Sequence, residues 1–167
     1  MNVQQFYNTI LDPNLEEITD IIDTPRSKSA DVLLLAIAGQ ESNWTYRYQL
    51  SSRPGRKGPA RGFWQFEKNG GVAGIMTHPE TSKAAKRLVN YIDIPWNRTD
   101  IWLQLEYDDR LAVGFARLLL WTDPKPLATS ARSGWSYYKR NWRPGKPHPK
   151  KWPLLWSQSF KTVYSEK

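Results

Sequence analysis

The strongest constraint on the fold of this chain is the apolar run Val32–Ala38, which leads through Gly39 into Gln40-Glu41-Ser42. Its large and small apolar side chains cover most of the circumference of a helix, which predicts a helix packed on nearly all sides. Ser27 or Ser29 can cap its start, and Gly39 loosens its last turn. The pattern therefore predicts a buried central helix over Ala30–Trp44, with Glu41 at its C-terminal end.

Glu41 is the candidate catalytic residue. Three effects at its position favour the protonated carboxyl, because apolar surroundings and the negative end of the helix dipole disfavour the charge and Trp44 can exclude water. A glutamic acid that stays protonated near neutral pH is suited to general acid catalysis. The alternative is an ordinary glutamate at a solvated helix end.

Composition predicts one globular domain without a metal or cofactor site. The chain has 167 residues, of which 40% are hydrophobic and nine are Trp, and this suffices for a core. There is no cysteine, which excludes disulfides and thiolate metal sites. The two histidines, His78 and His148, lie far apart, so we expect no metal and no cofactor.

The positive charge is concentrated near the end of the chain. Residues 132–167 hold nine basic and one acidic side chains, so the net charge of +8 resides there. A second basic cluster comprises Arg47, Arg53, Arg56, Lys57 and Arg61. Such patches either attract polyanions, whether nucleic acid or the anionic polymers of a bacterial wall, or form a solvated surface.

The remaining sequence predicts a mostly α fold with a small irregular or β-hairpin insert, arranged as a single domain. Helices are predicted at Gln4–Leu11, Asn14–Ile22, Glu80–Tyr91, Thr99–Trp121, Ser133–Arg140 and Leu154–Tyr164, with breaks at Asp12-Pro13 and Thr24-Pro25. A loop or small hairpin is expected over 51–59, a turn at Asn69-Gly70-Gly71, and irregular structure over 141–149. We divide the domain into an N-terminal helical extension (1–25), a core (26–131) and a C-terminal part (132–167) that packs on the core.

Asp108 falls on the apolar stripe of the predicted helix Thr99–Trp121. An acidic side chain at such a position is either paired with an arginine inside the fold or faces a cleft. The N-terminal stretch has neither the charge pattern nor the apolar run of a secretory signal, and no apolar segment is long enough to span a membrane.

Three segments together resemble the lytic transglycosylase branch of the lysozyme-like superfamily, particularly small enzymes of bacterial viruses. Glu41-Ser42 ends a buried helix, and Gly62-Phe63-Trp64-Gln65-Phe66 is similar to the Gly-Leu-Met-Gln-Ile segment of that family. Tyr137 or Tyr138, with Asn141, stands in for its Ala-Tyr-Asn motif. Two residues separate Tyr138 from Asn141, so the sequence leaves open which tyrosine takes the family position.

The resemblance implies a lysozyme-like helical fold and cleavage of peptidoglycan glycan strands between N-acetylmuramic acid and N-acetylglucosamine. Glu41 would protonate the leaving glycosidic oxygen while the acetamido group of the substrate stabilises the anomeric centre. Glu41, now a base, would accept the proton of the C6 hydroxyl, which closes a 1,6-anhydro ring. A lone acid that donates and then accepts a proton needs a pKa near the working pH.

The resemblance also implies roles for the other candidate residues. Ser42 would orient Glu41 or the sugar, Gln65 would hydrogen-bond the substrate amide, and Tyr138 would steady the cleft. Trp64 would either offer a stacking face or belong to the core, and Gly62 would let the backbone approach the sugar closely. Ordinary hydrogen bonding at a helix end and in a loop is the alternative for Ser42 and Gln65. The remaining candidate substrate-binding residues are Phe66, Tyr137 and Asn141.

The expected partner is peptidoglycan, with no stable nucleic-acid partner, and the protein is expected to be a monomer. We expect it to be made in the host cytoplasm and to act in the periplasm or at the cell wall, as a bacteriolytic enzyme or virion component.

The sequence is also compatible with two other functional hypotheses. A hydrolase of the same bond would need a second carboxylate at a defined distance from the first, and Glu67 and Asp108 are the candidates. A binding module without catalysis would instead use the interleaved basic and aromatic residues of the C-terminal part, as single-strand nucleic-acid binders do.

Overall fold

The computed structural model describes residues 1–165 and is mostly helical, with one small antiparallel sheet. The helices are α1 (Val3–Phe6), α2 (Asp12–Ile22), α3 (Lys28–Ser42), α4 (Ala73–Thr77), α5 (Ser82–Ile92), α6 (Arg98–Gln104), α7 (Asp109–Trp121), α8 (Ala131–Trp142) and α9 (Trp152–Tyr164). The strands are β1 (Tyr48–Leu50), β2 (Lys57–Arg61) and β3 (Phe66–Glu67). The predicted fold class, mostly α with a small hairpin insert, is confirmed.

The central helix α3 is buried on nearly all sides, as predicted. Every side chain from Val32 to Ala38 is buried, which explains why the apolar residues of this run follow no single face. Ser27 caps the helix, since its hydroxyl accepts a hydrogen bond from the amide of Ala30. Asn43, in the left-handed conformation with φ of 52°, ends it directly after Ser42.

The N-terminal segment is one continuous helical rod, and the predicted break at Asp12-Pro13 is wrong. A π-helical stretch, Tyr7–Leu11, joins α1 to α2 and places Pro13 in the first turn of α2, where a missing amide is tolerated. The side chain of Asn14 donates to the carbonyl of Ile10 at 2.7 Å and so satisfies a carbonyl of this turn. Phe6, Leu11 and Ile18 are buried, so this segment is part of the common core.

The insert after α3 is a three-stranded sheet in the order β1-β2-β3. Strand β2 pairs antiparallel with β1 through Tyr48 and Arg61, and with β3 through Arg61 and Phe66. The turn predicted at Asn69-Gly70-Gly71 is wrong, because a second π-helical stretch, Lys68–Val72, runs directly into α4. Gly71 is required there, since a Cβ atom would lie 2.3 Å from the ring of Phe66.

The helix predicted over Thr99–Trp121 is wrong, because α6 and α7 are separate helices. Asp108 causes the separation, since its carboxylate accepts hydrogen bonds from the amides of Arg110 and Leu111 and caps the start of α7. The carboxylate also pairs with the Arg110 guanidinium at 2.6 Å. The sequence left two roles open for Asp108, an ion pair with an arginine or a position facing a cleft. In the structure Asp108 forms the ion pair.

The C-terminal helices pack on the rest of the fold. α9 lies along α3, with Trp152, Leu155 and Trp156 buried between them and α8. The irregular stretch predicted over 141–149 is confirmed from Arg143 onward, because α8 continues to Trp142. Within residues 1–165, no helix is long and apolar enough to cross a membrane.

Candidate active site

Glu41 lines an open groove of about 1070 Å³. The C-terminal end of α3 contributes Gln40 and Glu41, the turn before β3 contributes Gln65, and β3 itself contributes Phe66 and Glu67. Tyr138 and Asn141 on α8 also line the groove, together with the irregular stretch that follows α8. The groove thus brings together residues from all three segments on which the resemblance rests.

Tyr138 is the direct partner of Glu41. Its hydroxyl donates a hydrogen bond of 2.5 Å to Oε1 of the carboxyl group. The tyrosine ring stacks on the indole of Trp152, with centroids 5.5 Å apart and an interplanar angle of 12°, and also contacts Trp135. The indole of Trp152 is itself fixed by a hydrogen bond to the carbonyl of Ala131. These contacts fix the hydroxyl toward Glu41.

Burial raises the pKa of Glu41 to about 7, although the hydrogen bond from Tyr138 acts in the opposite direction. Burial and the neighbouring carboxylate also raise the pKa of Tyr138, which keeps its hydroxyl protonated as a donor. The predicted rise in the pKa of Glu41 is confirmed. Trp44 does not line the groove, because its indole donates to the carbonyl of Leu35 and packs against Gly39 inside the core.

Gln65 reaches the groove from a tight turn. Its backbone has a φ of 53°, and its side-chain amide donates to the carbonyl of Gly62 at 2.9 Å. The side-chain carbonyl oxygen has no hydrogen-bond partner among residues 1–165 and can accept one from a substrate amide. A left-handed conformation at a residue other than glycine is a strain typical of functional sites.

Phe66 and Asn141 complete the groove beside these residues. The ring of Phe66 lies 6.1 Å from that of Trp142, whose indole donates to the carbonyl of Trp64. The amide of Asn141 donates to Asp123 at 2.7 Å and to the carbonyl of Tyr137. The side chain of Asn141 thereby links α8 to Asp123, just beyond the end of α7.

Two candidate aromatic residues belong to the core and not to the groove. Trp64 is fully buried, and its indole donates to the carbonyl of Leu34, so its predicted role as a stacking face for sugar is wrong. The hydroxyl of Tyr137 donates to the carbonyl of Leu120 at 2.7 Å inside the fold. The tyrosine at the candidate site is therefore Tyr138.

Ser42 and Gly62 also lie outside the groove lining. The hydroxyl of Ser42 donates to the carbonyl of Ala38 within α3, and the residue is buried, so it does not orient Glu41. Gly62 has a φ of 75°, and a Cβ atom there would meet the carbonyl oxygen of Leu105 at 3.1 Å. Its role is therefore to form the turn that carries Gln65, not to admit a sugar.

The two candidate second carboxylates have different surroundings. Asp108 is absent from the groove lining, and hydrogen bonds from Arg110 and Leu111 lower its pKa although burial opposes them. Glu67 does line the groove, is exposed, and has no ion pair within the described part of the chain. Of the two, only Glu67 shares the groove with Glu41.

Sequence reasoning missed several groove residues. The side chain of Gln40 donates to the carbonyl of His148 at 3.3 Å, and its own carbonyl oxygen is buried without a partner. Arg98, Arg143 and Lys146 also line the groove. The sequence marks Arg143 and Lys146 only as members of the basic C-terminal part, and it gives no signal for Gln40 or Arg98 as groove residues.

Within residues 1–165, no group of three or more histidine or carboxylate side chains has the geometry to bind a metal ion. No family model matches the chain, and no match was found among curated proteins or solved structures.

Proposed function

We propose that this protein is a lytic transglycosylase that cleaves the β-1,4 bond between N-acetylmuramic acid and N-acetylglucosamine in peptidoglycan. The observation that carries the proposal is Glu41, a groove carboxyl with a pKa of about 7 that accepts a hydrogen bond from Tyr138. At neutral pH this group is present in both protonation states, which suits one residue that acts first as acid and then as base.

In the proposed reaction, protonated Glu41 donates its proton to the glycosidic oxygen as the bond from that oxygen to C1 of the muramoyl residue breaks. The carbonyl oxygen of the 2-acetamido group of the same residue bonds to C1 and stabilises the positive charge. The Glu41 carboxylate then accepts the proton of the C6 hydroxyl, whose oxygen displaces the acetamido oxygen from C1. The product is a 1,6-anhydro ring, and Glu41 is again protonated.

The other groove residues support this assignment. Tyr138 keeps one carboxyl oxygen of Glu41 in place, and Gln65 presents a free carbonyl oxygen that can accept from an acetamido N–H group. Asp108 forms an ion pair with Arg110 and is therefore not available as a second catalytic carboxylate.

The second candidate function is a muramidase that hydrolyses the same bond. It is favoured by Glu67, whose carboxylate lines the same groove and is free to activate water. The binding module has less support, because Trp152 and Trp156 are buried and therefore do not offer faces on which bases can stack.

Digestion of purified peptidoglycan by the wild type, Glu41→Gln and Glu67→Gln, with analysis of the products by mass spectrometry, tests the proposal. We expect anhydromuramoyl ends from the wild type and from Glu67→Gln, and no cleavage by Glu41→Gln. Reducing muramoyl ends that disappear in Glu67→Gln would establish the hydrolase instead. An absence of cleavage by folded wild-type protein would contradict both enzymatic functions.

A further inference from the structure

The groove carries an excess of positive charge. Of the residues that the structure describes, four basic side chains line it, namely Arg98, Arg140, Arg143 and Lys146. Arg140 is neutralised by an ion pair with Asp123 at 2.7 Å. The other three have no carboxylate partner among residues 1–165, and Arg98 has only the neutral side chain of Asn69 as a hydrogen-bond partner. The acidic side chains of the described groove lining are Glu67, which is exposed, and Glu41, which is partly protonated, so they do not neutralise the three cations.

Two of these cations lie on a segment that is fixed at both ends. At its start, the amide of Arg143 donates to the carbonyl of Lys139, and the neighbouring Trp142 indole donates to the carbonyl of Trp64. At its end, the carbonyl of His148 accepts from the side chain of Gln40, which adjoins Glu41. The segment 143–148 therefore lies along the groove next to the candidate catalytic residue.

Arg143 occupies a position at which glycine is favoured. It follows the last residue of α8 in the left-handed conformation, with a φ of 50°. Glycine is the usual residue after a helix in this conformation, because a Cβ atom crowds the following carbonyl oxygen there. The cationic side chain is thus present despite a backbone cost.

We propose that Arg98, Arg143 and Lys146 form a cationic wall of the groove that binds carboxylates carried by the glycan strand. This inference rests on the proposed function, which supplies peptidoglycan as the substrate. A guanidinium group pairs with a carboxylate through two parallel hydrogen bonds, and a lysine ammonium adds a flexible point charge. Neutral sugars alone would gain little from three unpaired cations.

The same cations would attract nucleic acid, but the groove lacks the other part of such a site. Binding of single strands combines basic side chains with exposed aromatic faces on which bases stack. Among residues 1–165, the aromatic side chains of the groove lining are Phe66 and Tyr138, both buried, and Trp142, which is half-buried. The groove therefore favours carboxylates on a sugar strand over nucleic acid.

The carboxylates have two sources in peptidoglycan. In intact strands the peptide stems carry them, whereas in strands stripped by an amidase the lactyl group of muramic acid becomes a free carboxylate. Conversion of all carboxylates to neutral methylamides removes both sources and leaves the sugar backbone unchanged. Comparison of intact, stripped and amidated strands therefore identifies which carboxylate is bound.

Binding is measured separately from cleavage, by fluorescence anisotropy of soluble labelled strands with the full chain carrying Glu41→Gln. The test variant adds Arg143→Gln and Lys146→Gln. The matched control adds Lys150→Gln and Lys151→Gln. These substitutions remove the same charge from exposed residues that follow the segment 143–148 in sequence and do not line the groove. Arg143→Gly is a second test variant, because it removes the charge while relieving the left-handed backbone and so does not impair folding.

We expect the test variant to bind intact strands about 5- to 20-fold more weakly than the control at low salt. Arg98→Gln should also weaken binding. Amidated strands should bind weakly to every variant, with no difference between them. Added salt should remove the difference in affinity between the test variant and the control. Equal binding by test and control, undiminished binding of amidated strands, or tighter binding of single-stranded DNA than of intact strands would each overturn the cationic wall.

These outcomes are distinct from those that test the reaction. Cleavage by the wild type together with charge-independent binding would retain the transglycosylase and reject the cationic wall. Charge-dependent binding without any cleavage by the wild type would retain the cationic wall and reject the transglycosylase. The two can be separated because the anisotropy measurement does not need a catalytic step.

Discussion

The hydroxyl of Tyr138 donates a hydrogen bond of 2.5 Å to Oε1 of Glu41 and links the middle of α8 to the C-terminal end of α3. It stabilises the carboxylate form, whereas burial disfavours that form more strongly. The balance of the two effects is a pKa of about 7 for Glu41. Tyr138 therefore adjusts the protonation of the candidate acid in addition to holding it in place.

Replacement of Tyr138 by Phe should raise the pKa of Glu41 further, because it removes the hydrogen bond that lowers this pKa. The alkaline limb of the pH–rate profile, which reports loss of the acid form, should move upward by about one pH unit. The measurement is the initial rate of clearing of a peptidoglycan suspension as a function of pH.

The matched control is Tyr137→Phe in the same helix. The hydroxyl of Tyr137 bonds the backbone carbonyl of Leu120, so its loss should reduce the free energy of unfolding by about 1–2 kcal/mol and leave the pH profile in place. An alkaline limb that moves in Tyr137→Phe but not in Tyr138→Phe would contradict the assignment of the tyrosine.

Glu41→Gln should stabilise the folded protein at alkaline pH. The pKa of Glu41 rises from 4.5 to about 7 on folding, so the folded state binds the proton more tightly than the unfolded state. The stability that this proton contributes is present below the unfolded pKa and is lost as the pH rises through the folded pKa, in total up to about 3 kcal/mol. Glutamine stays neutral and avoids this loss.

Urea unfolding of the wild type and Glu41→Gln at several pH values checks this prediction. The two proteins should be about equally stable near pH 4, and the variant should be the more stable above about pH 8. Parallel stability curves over this range would show that Glu41 does not have a raised pKa in the folded state.

Gly39→Ala should destabilise the fold beneath the candidate site. A Cβ atom at Gly39 would lie 2.6 Å from Cζ2 of Trp44 and 2.9 Å from Cδ2 of Leu155. Trp44 cannot move away easily, because its indole is bonded to the carbonyl of Leu35. We expect a loss of about 1–3 kcal/mol in the free energy of unfolding, measured by urea denaturation.

Gly74→Ala in α4 is the corresponding control. A Cβ atom there has nothing within 4 Å, so the substitution should be neutral or stabilise the protein by up to about 1 kcal/mol. Equal destabilisation by both substitutions would contradict close packing of Trp44 against Gly39.

The buried central helix could be predicted because its signal is local. An uninterrupted apolar run has few alternatives in a chain of this size, and the position of Glu41 at its end follows directly. The N-terminal break was predicted wrongly because a π-helical stretch ahead of Pro13 and the side chain of Asn14 satisfy the backbone. Asp108 lay on an apolar stripe, which concealed its role as a helix cap.

The site was only partly predictable because it depends on distant contacts. Tyr137 and Tyr138 differ by one step of helical rotation, and the stacking of Tyr138 on Trp152 decides which hydroxyl reaches Glu41. Trp64 lies within the segment Gly62-Phe63-Trp64-Gln65-Phe66 on which the resemblance rests. Its indole nevertheless donates a hydrogen bond to the carbonyl of Leu34 in α3, inside the core. The contact of Gln40 with His148 spans 108 residues and has no signal in either local sequence.

The most direct test of the central claim is to digest peptidoglycan in water enriched in ¹⁸O and to determine the label in the new muramoyl ends by mass spectrometry. If Glu41 alone acts as acid and base, the C6 oxygen of the sugar closes the ring, and the new ends are anhydro forms that contain no ¹⁸O. New ends that each carry one ¹⁸O atom would show that water attacks C1, and this result would contradict ring closure by the C6 oxygen and with it the transglycosylase.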